Sequence, residues 1–208
     1  SVPVGIPALS VLGMALFKSL VKQHGTQFFE PVGKALVAAG MKTFSPANPA
    51  HVWKLRSVLV PYAGWTMKEK FSSKGHSDLG KVPSPLREHA EFAIRGFQRM
   101  PLEISAAMRK HQLKLADRQC RMAELSQRVQ DTVTILVTAL YAGQKKGEAT
   151  VQAADLVCQD LRRKLTGERA SDAYFKGMSQ LADTILSGGF EELAGVPRGE
   201  IMQKYDNK

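Results

Sequence analysis

Apolar residues spaced alternately three and four apart run through the second half of this chain, and that spacing restricts its building blocks to helices. Leu125, Val129, Val133, Leu136 and Leu140 form one row, and Leu113, Ala116, Cys120 and Ala123 form another upstream. Such intervals keep side chains on one face of a 3.6-residue turn, whereas a half-buried strand alternates every second residue. Val151, Ala154, Cys158, Leu161 and Leu165 repeat the pattern, and Tyr174, Met178, Leu181 and Ile185 repeat it again after a break at Gly167. Ser171 and Asp172 mark the later start. The expected fold is all-α: an antiparallel helical bundle with one long helix, preceded by a basic amphipathic region.

The first helix of that bundle spans Leu86 to Phe97, with Leu86, Ala90, Ala93, Ile94 and Phe97 on one face and Ser84-Pro85 at its start. Pro101 is the expected kink or restart before the long helix, Leu102 to Ala142. Forty residues at a rise of about 1.5 Å make roughly 60 Å, more than a compact domain of this size needs unless a partner covers the far end. Its charge density falls after Arg128, so Val129 to Ala142 is expected to be surrounded on several sides. Gly143 to Gly147 is a turn, with Gly143 suited to a left-handed helix stop. The tail from Gly188, through Phe190, Val196 and Pro197 to a charged end, is expected to drape over the bundle or be disordered.

The amino-terminal part differs in charge. Residues 1 to 83 carry ten Lys or Arg against three acids, a balance of +7, whereas residues 84 to 208 carry nineteen against sixteen, or +3. A domain boundary near residue 83 follows, reinforced by the Ser-, Gly- and Pro-rich stretch Phe71 to Pro85, which reads as a mobile linker. Ile6 to Val21 is apolar but interrupted by Pro7, Gly13 and Lys18, and is too short for a clean membrane span; it reads as a buried or interfacial helix. An opening this apolar implies further residues upstream in a longer protein. Gln27 to Ala39 is a short helix closed by Gly40, and Asn48 with Pro49 caps the next one.

From His51 to Phe71 both tryptophans of the chain fall among cations. Trp53, Tyr62 and Trp65 stand beside Lys54, Arg56, Lys68 and Lys70, with Pro61 and Gly64 expected to divide the segment into two short pieces. Aromatic rings favour the boundary between water and hydrocarbon, and neighbouring cations meet anionic head groups. These seven residues are the candidate membrane or partner contacts. The same rings also suit packing on a helical core, with lysine stems along its edge.

Catalytic chemistry is not legible. The five histidines, His24, His51, His76, His89 and His111, show no metal-ligand spacing, so no catalytic, cofactor or metal residue is assigned. Cys120 and Cys158 both fall on apolar faces and read as reduced core thiols. Glu124, Asp131 and Asp155 read as solvated partners of basic side chains. No nucleic-acid motif accompanies the sequence pI of 9.7, so no nucleic-acid partner is assigned.

The order of features resembles the carboxyl-terminal extension of very-long-chain-type acyl-CoA dehydrogenases, the membrane-associated members of that flavoprotein family. The likeness rests on the basic stretch 40 to 83, EHAEFAIRGF (88 to 97), LKLADRQCRMAELSQRVQDTVTILVTALYA (113 to 142) and AADLVCQDLRRK (153 to 164). It implies a non-catalytic helical domain in an enzyme of fatty-acid β-oxidation. FAD and the glutamate base would then sit in an upstream catalytic portion, with no cofactor held by this chain. The implied partners are that catalytic portion or a homodimer mate, together with an anionic membrane surface. The implied location is the cytoplasmic face of a bacterial inner membrane or the matrix side of a mitochondrial one. An independent helical adaptor that binds another protein is the other reading of the same residues.

Overall fold

The computed structural model describes residues 18–19, 21–41, 44–71, 79–111, 119–193 and 195. Among them every regular element is helical, as the apolar spacing predicts. The elements are α1 (Glu30–Ala38), α2 (Pro49–Lys54), α3 (Arg56–Phe71), α4 (Ser84–His111), α5 (Gln119–Gly143), α6 (Glu148–Thr166) and α7 (Asp172–Leu186). A π-helical turn, Gly25–Phe29, leads into α1. A single 3₁₀ turn, Glu191–Leu193, follows α7.

Local chemistry accounts for most of the ends. The α1 helix stops where Gly40 turns left-handed at φ 64° and the Met41 N–H reaches back to the Leu36 carbonyl at 2.9 Å. Asn48 caps α2 by accepting from the Ala50 N–H at 3.0 Å, and Ser171 caps α7 by accepting from the Tyr174 N–H at 3.2 Å. Gly167 closes α6 at φ 79°, with its N–H on the Arg163 carbonyl.

Helix α4 packs against α5 and α6, and its carboxyl-terminal half receives α3. Leu86, Ala90 and Ala93 of α4 meet Ile135, Ala139 and Ala142 of α5 and Ala154 and Cys158 of α6 in one buried seam. Five alanines there let the backbones close in, and at Gly96 an added Cβ would stand 3.2 Å from Thr132 Cγ2. A smaller cluster of Ile104 and Val129, flanked by Val21, Met100, Met108, Met122 and Leu125, fills the other end of the α4–α5 pair.

Several expectations are overturned. A single helix over Leu102 to Ala142 is excluded: α4 and α5 run antiparallel, with Ile104 on Val129 and Arg128 Nε 3.8 Å from Glu103. The periodic rows fit one helix or two stacked side by side equally well, and the connecting residues 112–118, including Leu113 and Ala116, lie outside the described set. Pro101 does not restart a helix but sits inside α4, and Pro61 sits inside α3. The break in His51–Phe71 falls instead at Leu55, whose fully buried side chain anchors the corner between α2 and α3. Gly143 is absent from the left-handed positions; its missing side chain makes room for Val82, which an added Cβ would meet at 3.1 Å.

The linker is only partly what its composition predicts. Residues 72–78 lie outside the described set, but Leu79 and Val82 pack on the main core and the Arg87 guanidinium donates to the Gly80 and Val82 carbonyls. Most of Ile6 to Val21 and the tail beyond Gly195 also lie outside. Val133, Val137 and Tyr141 are exposed on α5, while Ile135, Ala139 and Ala142 on its other side are covered by both α4 and α6, in keeping with the cover on several sides expected of Val129 to Ala142. Met178 and Ile185 of α7 are exposed too, and Cys120 is exposed where a core position is expected.

Replacing Ile135 by Ala is expected to lower stability by about 2–5 kcal/mol, since the site is enclosed by three helices and cannot collapse freely. Replacing the exposed Leu186 by Ala should change it by less than about 0.5 kcal/mol. Urea denaturation of the two variants measures the contrast.

Candidate functional site

Helix α3 is apolar on two opposite faces. With about 100° between successive residues, Val58, Tyr62 and Trp65 fall on one side and Val60, Met67 and Phe71 on the other. The inner side meets a cluster of rings. Trp65 lies 4.7 Å from Phe28 and 5.0 Å from His24, Tyr62 lies 5.9 Å from Phe29, and the Tyr62 hydroxyl shares a hydrogen bond with Ser105 Oγ of α4. Burial among these rings holds the His24 imidazole below its ordinary pKa.

The outer side is bare. Trp53, Val60, Met67 and Phe71 are between 61% and 71% exposed, far above what a packed helix face shows. Arg56 closes over Trp53 with its guanidinium carbon 4.3 Å from the ring centroid and donates to the Trp53 carbonyl at 2.9 Å. Lys68 and Lys70 flank the stripe, roughly 80° to either side of its line.

The seven residues singled out from the sequence therefore divide. Trp53, Lys54, Arg56, Lys68 and Lys70 are exposed, whereas Tyr62 and Trp65 are half-buried and turned to the ring cluster. Sequence reasoning missed Val60, Met67 and Phe71. The spacing of Val60, Met67 and Phe71, seven and four residues apart, was the available signal, but a helix apolar on both faces blurs the amphipathic contrast that would draw attention to it.

A second constellation lies at the amino-terminal end of α4 and was not foreseen. His89, only 3% exposed, is held between α4 and α6. Its Nε2 lies 2.8 Å from Asp155 Oδ1, and Arg162 Nη1 lies 3.0 Å from its Nδ1. Arginine has only donors to offer, so Nδ1 accepts and the Nε2–H donates to the carboxylate: the ring is neutral with both nitrogens engaged. Gln159 Nε2 donates to Asp155 Oδ2 at 2.8 Å, and the Arg162 guanidinium lies 4.9 Å above Phe92. A ring saturated in this way is poorly placed to act as a general base. Asp155 and Asp131 are thus not merely solvated: Asp131 is buried and bridges α5 to α6 through Lys164 at 2.9 Å.

Beside this network opens a recess of about 560 Å³ between α4, α6 and α7, with Arg162, Arg163 and Arg169 among its walls. Nothing in the local spacing of His89, Asp155 and Arg162 reveals their meeting, since 66 and 73 residues separate His89 from the other two. Among the described residues no group of His, Cys, Asp or Glu could hold a metal ion, and no helix is long and apolar enough to cross a membrane. The chain matches no protein-family model, and comparison with curated proteins and with solved structures returns no match.

Removing His89 by substitution with Ala leaves Asp155 and Arg162 without their shared partner and should cost about 1–3 kcal/mol beyond the packing loss. His89→Gln, which keeps one donor and one acceptor, should recover part of it; chemical denaturation measures both. Burial in the seam pushes the Cys158 thiol up to about 12 from its ordinary 9.0. The unfolded chain then releases this proton first, so the contribution is whole below pH 9.0 and is lost as pH rises toward 12. Cys120 should be alkylated readily in the native protein and Cys158 should resist, as peptide mass mapping after a timed iodoacetamide pulse at pH 8 would show.

Proposed function

We propose that this chain is a non-catalytic helical domain that rests on an anionic membrane surface through α2 and α3. Its remaining helices, α4 to α7, form an antiparallel bundle that supports a larger protein. The observation that carries the reading is the outward stripe of Trp53, Val60, Met67 and Phe71 with Arg56, Lys68 and Lys70 at its margins. Apolar side chains of that kind enter the head-group boundary, and each cation beside an anionic surface adds about 1 kcal/mol. Both terms act together at a charged lipid surface.

The parent enzyme in this reading is a flavin-dependent acyl-CoA dehydrogenase of fatty-acid β-oxidation, on the strength of the resemblance over residues 88–97, 113–142 and 153–164. FAD belongs to the catalytic portion of that parent. The recess beside His89 is walled largely by charged and polar side chains and lacks the predominantly apolar lining of a cofactor site, so no step of flavin chemistry is drawn through this chain. Val133, Val137 and Tyr141 on the outer face of α5 suit the catalytic portion or a dimer mate. The same face would serve an independent adaptor, which is the second reading. A dehydrogenase body encoded directly upstream of Ser1 would favour the first; its absence there would favour the second.

Co-sedimentation with phosphatidylglycerol vesicles is the direct test. The chain should bind them and bind phosphatidylcholine vesicles weakly, and a Trp53→Ser, Phe71→Ser pair should weaken the anionic binding at least about tenfold, as expected for losing two buried rings. Failure to bind phosphatidylglycerol at low salt would refute the membrane role.

A further inference from the structure

The recess at the amino-terminal end of α4 has a composition that the membrane reading does not use. Two helices begin at its wall, α4 at Ser84 and α7 just after Ser171, so the positive ends of two helix dipoles border one space. Two half-buried guanidiniums, Arg162 and Arg163, line it as well. Arg162 donates to a neutral imidazole nitrogen, and among the described residues no carboxylate pairs with it. Arg163 lies 4.2 Å above the Tyr174 ring and donates to Asp160, which leaves its Nε enclosed with no acceptor.

The network behind these groups fixes them in place. Asp155 is the innermost acid of the recess, but its two oxygens already accept from His89 and Gln159. It therefore holds the imidazole, and the imidazole holds Arg162, without the carboxylate itself neutralising the guanidinium by direct contact. What is presented to the recess is a set of positioned donors and positive partial charges. The opposing charges are Asp160, paired with one edge of Arg163, and Glu88 and Glu168, exposed on the rim where water and salt screen them.

We infer that the recess between α4, α6 and α7 is a binding site for a compact oxyanion, a phosphate or carboxylate group, gripped by Arg162 and Arg163. Planar guanidiniums match the paired oxygens of such groups, and two helix starts add a field of the same sign. The volume is ample for the anion and a small attached body.

The test is a titration of the whole chain with inorganic phosphate at low ionic strength, followed by amide ¹H–¹⁵N shifts. Saturable shifts should cluster at the starts of α4 and α7 and at the end of α6. Arg163→Gln should weaken binding at least about tenfold, as the loss of a charge-assisted pair predicts. Glu168→Gln should tighten it, and Arg121→Gln on α5 should leave it unchanged. Arg162→Gln should weaken it as well; because this variant also loses the His89 bond, Arg163→Gln decides the matter should Arg162→Gln fail to fold. Phosphate-dependent shifts without a response to phosphatidylglycerol vesicles would identify a soluble ligand, and the same residues responding to both would identify a head group. No saturable shift with free phosphate, or an unchanged affinity in Arg163→Gln, would overturn the site.

Discussion

Close approach of α4 to α5 and α6 along an alanine-lined seam is the constraint on which the rest of this structure depends. Helices separated by large side chains stand further apart than helices meeting through small ones, and only at short separation can polar side chains bridge two backbones. Ala90 and Ala93 on α4, Ala139 and Ala142 on α5, and Ala154 on α6 provide that separation. Given it, His89 spans from α4 to Asp155 and Arg162 of α6, Cys158 Sγ reaches the Ile135 carbonyl, and Lys164 reaches Asp131. Buried polar groups without such partners would each cost more than their bonds contribute, so the seam both permits the network and demands it. The pairing also fixes register, since a shift of one turn would separate His89 from its partners on α6.

Much of the helical framework was legible because it follows from local rules. Asn48 with Pro49, Ser171 and Gly167 mark ends through caps and a left-handed stop that act within a few residues. The buried row of α6 came from spacing alone. What spacing cannot convey is where a helical pattern turns back on itself: apolar rows on either side of residues 112–118 carry the same period whether the chain continues or reverses. Proline misled for a related reason. Pro61 and Pro101 each forfeit one hydrogen bond, a loss that tertiary packing of a long amphipathic element offsets, whereas Leu55 breaks the helix because its side chain is drawn fully into the interior.

The candidate sites were legible to different degrees for the same reason. Residue types in the Trp53 to Phe71 segment announced an amphipathic surface, but which rings face outward depends on what lies opposite. Phe28, Phe29 and His24 claim Tyr62 and Trp65, and this leaves Val60, Met67 and Phe71 to the outside. The His89 network was not legible at all. Its members lie on two helices far apart in sequence, and each alone reads as an ordinary residue of a charged helix. Only the packed seam makes them one group.

The two surfaces are held apart by the helix that connects them. Tyr62 binds α4 at Ser105, and the recess opens around Glu88 and His89, sixteen to seventeen residues earlier, a separation of about 25 Å along a helix at 1.5 Å per residue. A membrane engaging α2 and α3 therefore meets the end of α4 remote from the recess. That distance exceeds the roughly 10 Å screening length at moderate salt, so the cations along the α3 stripe and the guanidiniums of the recess act as separate fields. An anion drawn to Arg162 and Arg163 then owes its attraction to the local helix starts and guanidiniums, and a lipid surface drawn to Lys68 and Lys70 owes nothing to the recess. The rigid span of α4 makes the two proposed sites separable by substitution.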